Sequence, residues 1–377
     1  MKIELKASTL NIKSKQEALN FSRASARVCY SKYDFDTLTK EESQVLTEDL
    51  LNSGHHSPFE HVSLTFYITD IPKLGAMILN NEPPYVTSEK SARYTTMNLL
   101  SKEKDIYEKW VDIFSKLITD KYSFIEKDRV LKLAKENARN LTSVFTPTKM
   151  LYTTSFRQLN YLMNLFDDFI INNKDKNNIF YQNIVKFMKE FCEQLIDFRE
   201  PRLNPFSKKR FLRLFDSSPF YEVFSTVYST RYLASLSYLA QAQRHRTINY
   251  SMSLPSEFKF FMPPILESDE LKKDWESDIT SLKENMPQGM YVDIRESGTY
   301  FNFISKITER ICGHAQLEIM RVSKQLLEKY IENSKETAPF VHETLLKYSK
   351  GARCTFPNIK CESVCPFTSK HALDRVV

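Results

Sequence analysis

The run Gln241-Ala242-Gln243-Arg244-His245-Arg246 decides how this sequence is interpreted. It follows an apolar segment, Leu233 to Ala240, and is therefore predicted to lie at a helix end. Two arginines around a histidine gather three cationic or hydrogen-bonding groups, a combination suited to holding an anion. A complementary polar segment, Ser88 to Tyr94, stands in the other half of the chain. The two segments look like one functional motif divided between two halves.

The composition indicates a protein that binds small anionic ligands. The 377 residues include 53 basic and 47 acidic side chains, a balance too weak to predict nucleic-acid binding. There are only six glycines, and neither a P-loop nor a GxGxxG pattern is present. No apolar run reaches the ~18 residues of a membrane span, and the N-terminus lacks the apolar core of a signal peptide. We therefore expect a cytoplasmic protein without a membrane partner.

The six cysteines fall into two groups. Cys29, Cys192 and Cys312 stand in apolar contexts and are predicted to belong to the core. The C-terminal group, Cys354, Cys361 and Cys365, lacks the paired short spacings of structural zinc sites. The sequence therefore predicts reduced thiols and favours no metal site, although metal binding by the C-terminal group stays an open alternative.

The order of local patterns predicts an α+β fold. Alternation of apolar and polar residues predicts strands, and apolar spacing of three to four predicts helices. A capping box at Thr39 to Glu42 is expected to open a helix that Gly54 ends. The strands are predicted at 2–9, 62–69 and 221–230, and the helices at 15–30, 39–54, throughout 105–198, 231–246, 299–333 and 340–349.

A break at residues 199–205 is the best candidate for a domain boundary. We therefore predict a first domain at 1–200, a linker at 201–215 and a second domain at 216–377 with a cysteine-containing tail. The two parts also share a weak internal repeat. A Ser-Pro-Phe segment precedes a predicted strand and helix in each part, at Ser57-Pro58-Phe59 and at Ser218-Pro219-Phe220. This repeat predicts two tandem copies, each an antiparallel sheet flanked by long helices.

Four segments together carry a resemblance to a known family. They are His55-His56-Ser57-Pro58-Phe59-Glu60-His61, Ser91-Ala92-Arg93-Tyr94, Arg244-His245-Arg246 and His314-Ala315-Gln316-Leu317-Glu318-Ile319. The chain resembles the flavin-dependent thymidylate synthases, the ThyX family. In that family one domain carries R-H-R-x-x-S-x-N-E-x-S-x-R-Y as a single motif, with R-x-x-x-H-A-Q-x-E-I downstream. Here each half resembles one degraded copy.

The two copies have lost complementary parts of the motif. The first keeps Glu89 to Tyr94, but its R-H-R positions hold Asn81-Glu82-Pro83. The second keeps Arg244-His245-Arg246 and Arg310, but the S-x-R-Y part is gone. Random decay would have struck both sides of each site. Between them, however, the two copies retain one complete set of motif residues. This retention predicts a single composite site, formed by a chain that folds as a pseudo-dimer.

The resemblance implies a role for each retained residue. One copy would hold the phosphate of dUMP, and the other would face the uracil and the flavin. The implied dUMP residues are Glu89, Ser91, Arg93, Arg139, Gln241, Arg244 and Arg310, and the implied FAD residues are His55, Ser57, Glu60, Arg157, Arg244, His245, Arg246 and His314. Arg310 is the implied catalytic residue, since a guanidinium at a uracil oxygen stabilises the enolate-like charge that develops when C5 attacks.

The implied reaction is reductive methylation of dUMP to dTMP. Methylenetetrahydrofolate would be the carbon donor, FAD the hydride carrier and NADPH the reductant, with the protein supplying placement and electrostatics. The family's subunit arrangement further implies a homodimer that acts as a pseudo-tetramer.

Other interpretations remain open. The chain could be a related flavoprotein that modifies another uracil nucleotide, or a non-catalytic nucleotide- or flavin-binding paralogue. A nucleic-acid binder is disfavoured, because no stretch interleaves aromatic with basic residues. Arg310 and His314, as i, i+4 neighbours on one predicted helix, could instead form a structural pair with Glu309 or Glu318.

Overall fold

The computed structural model describes residues 1–40, 44–91, 99, 101–204, 211–361, 365, 367 and 371–377. The chain divides into two compact units. Unit 1 comprises Met1–Lys90 and Pro147–Leu212, and unit 2 comprises Ser91–Thr146 and Arg213–Val377. The units differ from the predicted domains, because residues 91–146 of the first predicted copy group with the second half of the chain. A sequence repeat need not coincide with a compact unit, so the two-copy hypothesis stays a prediction.

Unit 1 contains an antiparallel sheet in the order β1-β2-β4-β3, with four strands among the described residues. The strands, numbered in chain order, are β1 Lys2–Ser8, β2 Ser63–Pro72, β3 Val86–Glu89 and β4 Pro147–Ser155. In β2 the apolar residues Leu64, Phe66 and Ile68 are buried while their neighbours are partly exposed. This alternation places one face of the sheet against the core.

The helices of unit 1 pack around this sheet. They are α1 Lys15–Arg27, α2 Phe35–Lys40, α3 Gln44–Ser53, α4 Lys73–Leu79, α7 Phe156–Asn173 and α8 Ile179–Gln194. A capping box between Ser14 and Glu17 opens α1. Gly54, with φ of 77°, follows the end of α3 as predicted, because this left-handed conformation suits glycine.

Two sequence predictions for this region are wrong. The helical pattern predicted from 105 to 198 is interrupted by β4, whose Thr148, Met150, Tyr152 and Thr154 are buried at every second position. Its threonines gave the strand a mixed hydropathy that hid the period of two. Thr39 lies inside α2 and donates its hydroxyl to the Asp36 carbonyl, so it does not cap a helix there. The acidic end of that predicted capping box, Glu41 and Glu42, lies outside the described residues.

Unit 2 contains a second antiparallel sheet in the order β5-β6-β8-β7, again with four strands among the described residues. The strands are β5 Val223–Phe224, β6 Val227–Ser235, β7 Asn249–Ser253 and β8 Tyr291–Thr299. The order matches that of the first sheet strand for strand. In both sheets a short helix follows the second strand directly, and a longer helix follows the fourth. These correspondences agree with the predicted α+β class.

The helices of unit 2 are α5 Ser101–Lys121, α6 Lys127–Ala138, α9 Leu236–Ala242, α10 Asp269–Ser281, α11 Tyr300–Arg310, α12 Leu317–Ser334 and α13 Pro339–Leu346. Helices α5 and α10 meet through Trp110, Phe114 and Trp275, all fully buried. The two indole rings pack edge to face at 4.9 Å between centroids. This contact joins residues of the first predicted copy to the second half of the chain.

Two further predictions need correction in unit 2. The strand predicted to end at Thr230 continues to Ser235, and the helix predicted from Arg231 is only α9. The long helix predicted from 299 to 333 is broken between Arg310 and Leu317 into α11 and α12. Among the described residues, the structure contains no helix with the length and apolarity needed to span a membrane.

Candidate functional site

Four of the residues assigned to FAD by resemblance lie in unit 1, and two of them are in contact. Arg157, at the start of α7, donates to Glu60 at 2.8 Å, and its guanidinium stacks over the Tyr161 ring. Glu60 closes the single turn formed by Ser57–Glu60, just before β2. His55 and Ser57 are exposed in the same segment. The structure therefore brings Glu60 and Arg157 together and leaves polar side chains of their segment accessible.

His56 has a structural environment. Its side chain is 1 % exposed, and its two ring nitrogens lie 3.0 Å from the Tyr161 hydroxyl and 3.1 Å from the Leu51 carbonyl oxygen. Burial lowers the pKa of this imidazole below its usual range, because the charged form loses solvation. His56 therefore supports the Ser-Pro-Phe turn as a neutral residue.

Glu89, assigned to dUMP, ends β3 in unit 1. Its buried carboxylate accepts from Lys73 Nζ at 2.6 Å and from Asn80 Nδ2 at 3.2 Å. Sequence reasoning missed both donors, because they are separated from Glu89 by a loop. Ser91 is partly exposed, and Arg93 lies outside the described residues.

Arg139, also assigned to dUMP, lies just after α6 in unit 2. Its Nη2 donates to the side-chain oxygen of Gln316 at 2.8 Å, and its side chain is buried. Gln316 precedes α12 and belongs to the His314-Ala315-Gln316 segment of the second predicted copy. A residue of one copy is thus hydrogen-bonded to a motif residue of the other within one compact unit.

Arg310, the implied catalytic residue, ends α11 and is held by His245. Arg310 Nε donates to His245 Nε2 at 2.8 Å. The Nε2 atom of His245 is therefore unprotonated, and its lone pair accepts the bond. Burial, followed by the charges of Arg310 and Lys306, lowers the pKa of His245 to about 3. A carboxylate oxygen of Glu309 lies 3.7 Å from the Arg310 guanidinium. The neutral imidazole therefore acts as an acceptor that orients Arg310.

His314 does not share a helix face with Arg310, because the helix breaks between them. His314 Nδ1 instead lies 2.9 Å from Arg129 Nη2 of α6. Arg310 and His314 are therefore not i, i+4 neighbours on one helix, while Arg310 does contact Glu309, one of the two carboxylates of the alternative interpretation. Arg129 carried no motif signal and was missed by sequence reasoning.

The remaining residues of the opening motif surround the end of α9. Gln241 is partly exposed in its last turn, while Arg244 and Arg246 are exposed in the turn that follows. Gln243 is 2 % exposed, and its amide nitrogen and oxygen have no hydrogen-bond partner among the described residues. A buried amide without partners is costly in a folded protein, so Gln243 is a candidate contact that the motif comparison overlooked.

A buried charged cluster supports the helix that carries Arg310. Lys306 Nζ in α11 donates to Glu296 in β8 at 2.6 Å and to the Tyr238 hydroxyl at 3.2 Å. The Tyr228 hydroxyl donates to the second oxygen of Glu296 at 2.6 Å. Burial lowers the pKa of the Lys306 ammonium, although the facing carboxylate opposes that shift. The cluster fixes α11 against β8 one turn before Arg310.

The cysteines agree with the sequence predictions in part. Cys312 is buried and Cys192 is partly buried, but Cys29 is exposed, so its predicted core position is wrong. It lies just beyond the end of α1, where the apolar face of the helix no longer covers it. Among the described residues, no group of histidine, cysteine and acidic side chains is arranged to hold a metal ion.

Comparison with known proteins finds similarity in the first half of the chain. Residues 12–168 match the family model described as thymidylate synthase complementing protein. A flavin-dependent thymidylate synthase of Pseudothermotoga lettingae is 28 % identical over 155 residues, which are 38 % of this chain and 68 % of that protein.

Two solved structures align with about half of the chain at low structural similarity. A UMP/dUMP methylase, PolB, from Streptomyces cacaoi, bound with 5-Br dUMP, is 16 % identical, with coverage of 54 % of this chain and 92 % of that one and a TM-score of 0.34. ThyX from Helicobacter pylori, with FAD and dUMP, is 16 % identical, with coverage of 54 % and 95 % and a TM-score of 0.32. Residues 12–168 of this chain are therefore similar to the flavin-dependent thymidylate synthase (ThyX) family.

Proposed function

We propose that this chain methylates dUMP to dTMP in a single composite site that draws residues from both halves of its sequence. The observation that carries the proposal is the hydrogen bond from Arg139 to Gln316. Each residue belongs to a different predicted copy, and each matches a motif position that the other copy has lost. Similarity to the ThyX family over residues 12–168 supports the reaction class.

The proposed roles follow from the chemistry of each side chain. Arg139, with Ser91 and Arg93, would hold the dianionic phosphate, which needs cations and hydroxyl donors. Arg310, Gln241 and Arg244 would contact the uracil ring. The planar guanidinium of Arg310 would stabilise negative charge on a ring oxygen as C5 becomes nucleophilic. His245 keeps the guanidinium oriented without adding a competing charge.

The donor set of the chain suits FAD. In unit 1, the exposed His55 and Ser57 and the Glu60–Arg157 pair are of the kind that binds an anionic pyrophosphate or a ring edge. The exposed Arg244 and Arg246 of unit 2 are cations of the same kind. When bound, FAD supplies the hydride chemistry, and NADPH would be its reductant. By resemblance, His245 and His314 of unit 2 would also be cofactor residues, and methylenetetrahydrofolate would donate the carbon.

We further propose that the chain arose as two tandem copies and assembles as a homodimer that imitates a tetramer. The identical strand order of the two sheets supports the duplication. Light scattering should then give a mass of about twice the 44.3 kDa of one chain.

Tritium release from C5-labelled dUMP, in the presence of methylenetetrahydrofolate and NADPH, tests the reaction. Purified protein should show flavin absorbance and release tritium, and Arg310→Ala should abolish the release. Arg231→Ala is the matched control, because Arg231 is an exposed arginine of unit 2 that pairs with Asp293. Bound flavin without release would contradict the synthase assignment. UMP is assayed in parallel. Turnover of UMP in place of dUMP would indicate an enzyme that modifies another uracil nucleotide.

Co-expression of differently tagged Arg139→Ala and Arg310→Ala chains tests the composite site. If one chain carries the complete site, every site in the mixed dimer holds one defect and activity stays absent. If the two arginines of a site came from different chains, mixed dimers would contain one intact site and regain part of the activity. Recovery would therefore refute the proposed site.

A further inference from the structure

A continuous hydrogen-bonded chain connects Glu318 to Arg139 inside unit 2. The backbone N–H of Ser235 donates to Glu318 Oε1 at 2.8 Å, and the Ser235 hydroxyl contacts Glu318 Oε2. The hydroxyls of Ser235 and Ser237 lie 3.0 Å apart. Gln316 Nε2 donates to Ser237 Oγ at 3.2 Å, and Gln316 Oε1 accepts from Arg139. Ser235, Ser237, Gln316 and Glu318 are all buried.

The proton count of this chain depends on the charge of Glu318. If its carboxylate is ionised, the one hydroxyl proton of Ser235 must point to Glu318. The one hydroxyl proton of Ser237 points to Asn140 Oδ1, 2.7 Å away. The 3.0 Å contact between Ser235 and Ser237 then contains no proton, and two oxygen lone pairs face each other. A buried contact of this kind is unfavourable.

Protonation of Glu318 completes the chain. The carboxyl proton is donated to Ser235 Oγ, which releases the Ser235 proton toward Ser237. Ser235 Oγ then accepts from Glu318 and from the Tyr238 backbone N–H at 3.0 Å, and donates once. Ser237 Oγ accepts from Ser235 and Gln316 and donates to Asn140. Every donor and acceptor of these two hydroxyls is used, so Gln316 has a fixed position from which to hold Arg139.

We propose that the protonated carboxyl of Glu318 is a positioning group for Arg139, acting through Ser235, Ser237 and Gln316. The inference rests on the proposed function, since it makes the affinity of the dUMP phosphate site depend on pH. Ionisation of Glu318 breaks the Ser235–Ser237 link and loosens Gln316. The phosphate-binding guanidinium is then held less firmly, and the site binds dUMP more weakly.

The surroundings of Glu318 bring the pKa of its carboxyl close to neutral pH. Burial raises its pKa to about 7, while the hydrogen bonds from Ser235 and the charge of Arg139 oppose that rise. Tyr238 of α9 and Tyr291 of β8 also interact with it, and burial raises the pKa of both tyrosines, so they stay neutral. Glu318 is therefore a buried group whose charge changes near pH 7.

Binding of dUMP, measured by calorimetry from about pH 6 to about pH 8.5, tests the coupling. In the wild type the Kd should rise about three- to tenfold with pH, as expected for the loss of one hydrogen bond. Glu318→Gln places an amide where the neutral carboxyl stood. This variant should therefore keep the lower Kd of the wild type across the whole pH range. The phosphate of dUMP also titrates, but its contribution is common to all variants.

Glu103→Gln is the matched control. Glu103 is a buried carboxyl of unit 2 that accepts from the Ser143 backbone N–H at 2.7 Å and has no bond to Arg139 among the described residues. This variant should keep the pH profile of the wild type. Ser237→Ala removes the link itself and should bind weakly at every pH. A wild-type pH profile in Glu318→Gln would overturn the inference.

A measurement without dUMP separates this inference from the proposed function. The ¹³C NMR signal of the Arg139 guanidinium carbon, assigned by its loss in Arg139→Lys, should shift with a midpoint near pH 7. The shift should vanish in Glu318→Gln and persist in Glu103→Gln. If this pattern is seen but dUMP does not bind, the proposed function fails alone. If dUMP binds and the signal does not respond to Glu318, only the inference fails.

Discussion

His245 shows how a motif residue acquires its role from its neighbours. The motif alone suggests a cationic histidine between two arginines. In the folded protein its imidazole is buried and accepts a hydrogen bond from Arg310, so it is neutral near pH 7. Only a neutral ring has the lone pair that this bond requires. The cationic character of the segment therefore comes from Arg244 and Arg246 alone.

The lowered pKa of His245 predicts a pH dependence of stability. Its folded pKa of about 3 lies below the ordinary value of 6.5. The unfolded state therefore binds more protons between these values, and stability is lost as pH falls through that window. His245→Gln, measured by denaturant unfolding between pH 6.5 and 4, should have a pH slope smaller by up to about 1.4 kcal/mol per unit.

Glu318→Gln provides the opposite comparison in the same assay. The folded pKa of Glu318 is raised, so its contribution is present at low pH and is lost as pH rises from 4.5 to about 7. Glu318→Gln removes that contribution, so its free energy of unfolding should fall more steeply on acidification than that of the wild type. An unchanged slope in His245→Gln would show that the imidazole is not buried as a neutral group.

At the scale of elements, the Lys306–Glu296 pair joins α11 to β8. Both side chains are fully buried, so the removal of one charge leaves the other without compensation. Lys306→Met should lower the free energy of unfolding by about 3–5 kcal/mol. Denaturant titration of Lys306→Met, Glu296→Gln and the double variant gives the coupling energy.

The double variant is the decisive member of that set. Because it leaves no uncompensated charge, it should be more stable than either single variant. Additive losses would mean that the two side chains do not interact as a pair.

The break between α11 and α12 depends on close packing at Gly313. A Cβ added there would lie 2.5 Å from the sulfur of Cys365, closer than such atoms can approach. Gly313→Ala should therefore destabilise the protein by about 1–3 kcal/mol, as overpacking does. Thermal unfolding measures the loss, and the combination with Cys365→Ala should restore most of it. Without this rescue, the constraint would lie elsewhere in the break.

At the scale of the whole molecule, the packing of α5 with α10 predicts that the halves cannot fold separately. A fragment of residues 1–200 lacks Trp275, so it exposes the apolar face that carries Trp110 and Phe114. Expressed alone, it should aggregate or bind the dye ANS. Co-expression with residues 201–377 should restore a soluble complex. A soluble fragment that unfolds cooperatively would contradict this prediction.

Much of the fold could be predicted from local patterns. Gly54, β1 and α1 were predicted because each leaves a local signal: a helix stop, an alternation or a helical period. The break after Arg310 was missed because residues 311–316 keep an apolar pattern compatible with a helix. The strand β4 was missed because its buried threonines weaken the alternation that marks a strand.

The candidate site was predicted only as a set of residues. Motif comparison selected Arg139, Arg310 and His245 but named neither the partner of Arg139 nor the acceptor for Arg310. It also missed Lys306, Glu296 and Arg129, because buried pairs and contacts between distant helices leave no spacing pattern in one sequence.

The sequence by itself determined the α+β class, the resemblance to one family and the candidate residues, because hydropathy periods and motifs are local properties of a chain. Tertiary structure alone decided that Arg139 meets Gln316, that His245 is a neutral acceptor and that Glu318 titrates near pH 7. These outcomes depend on which groups are excluded from water and which partners replace it. Burial and partnership arise only when distant segments pack together.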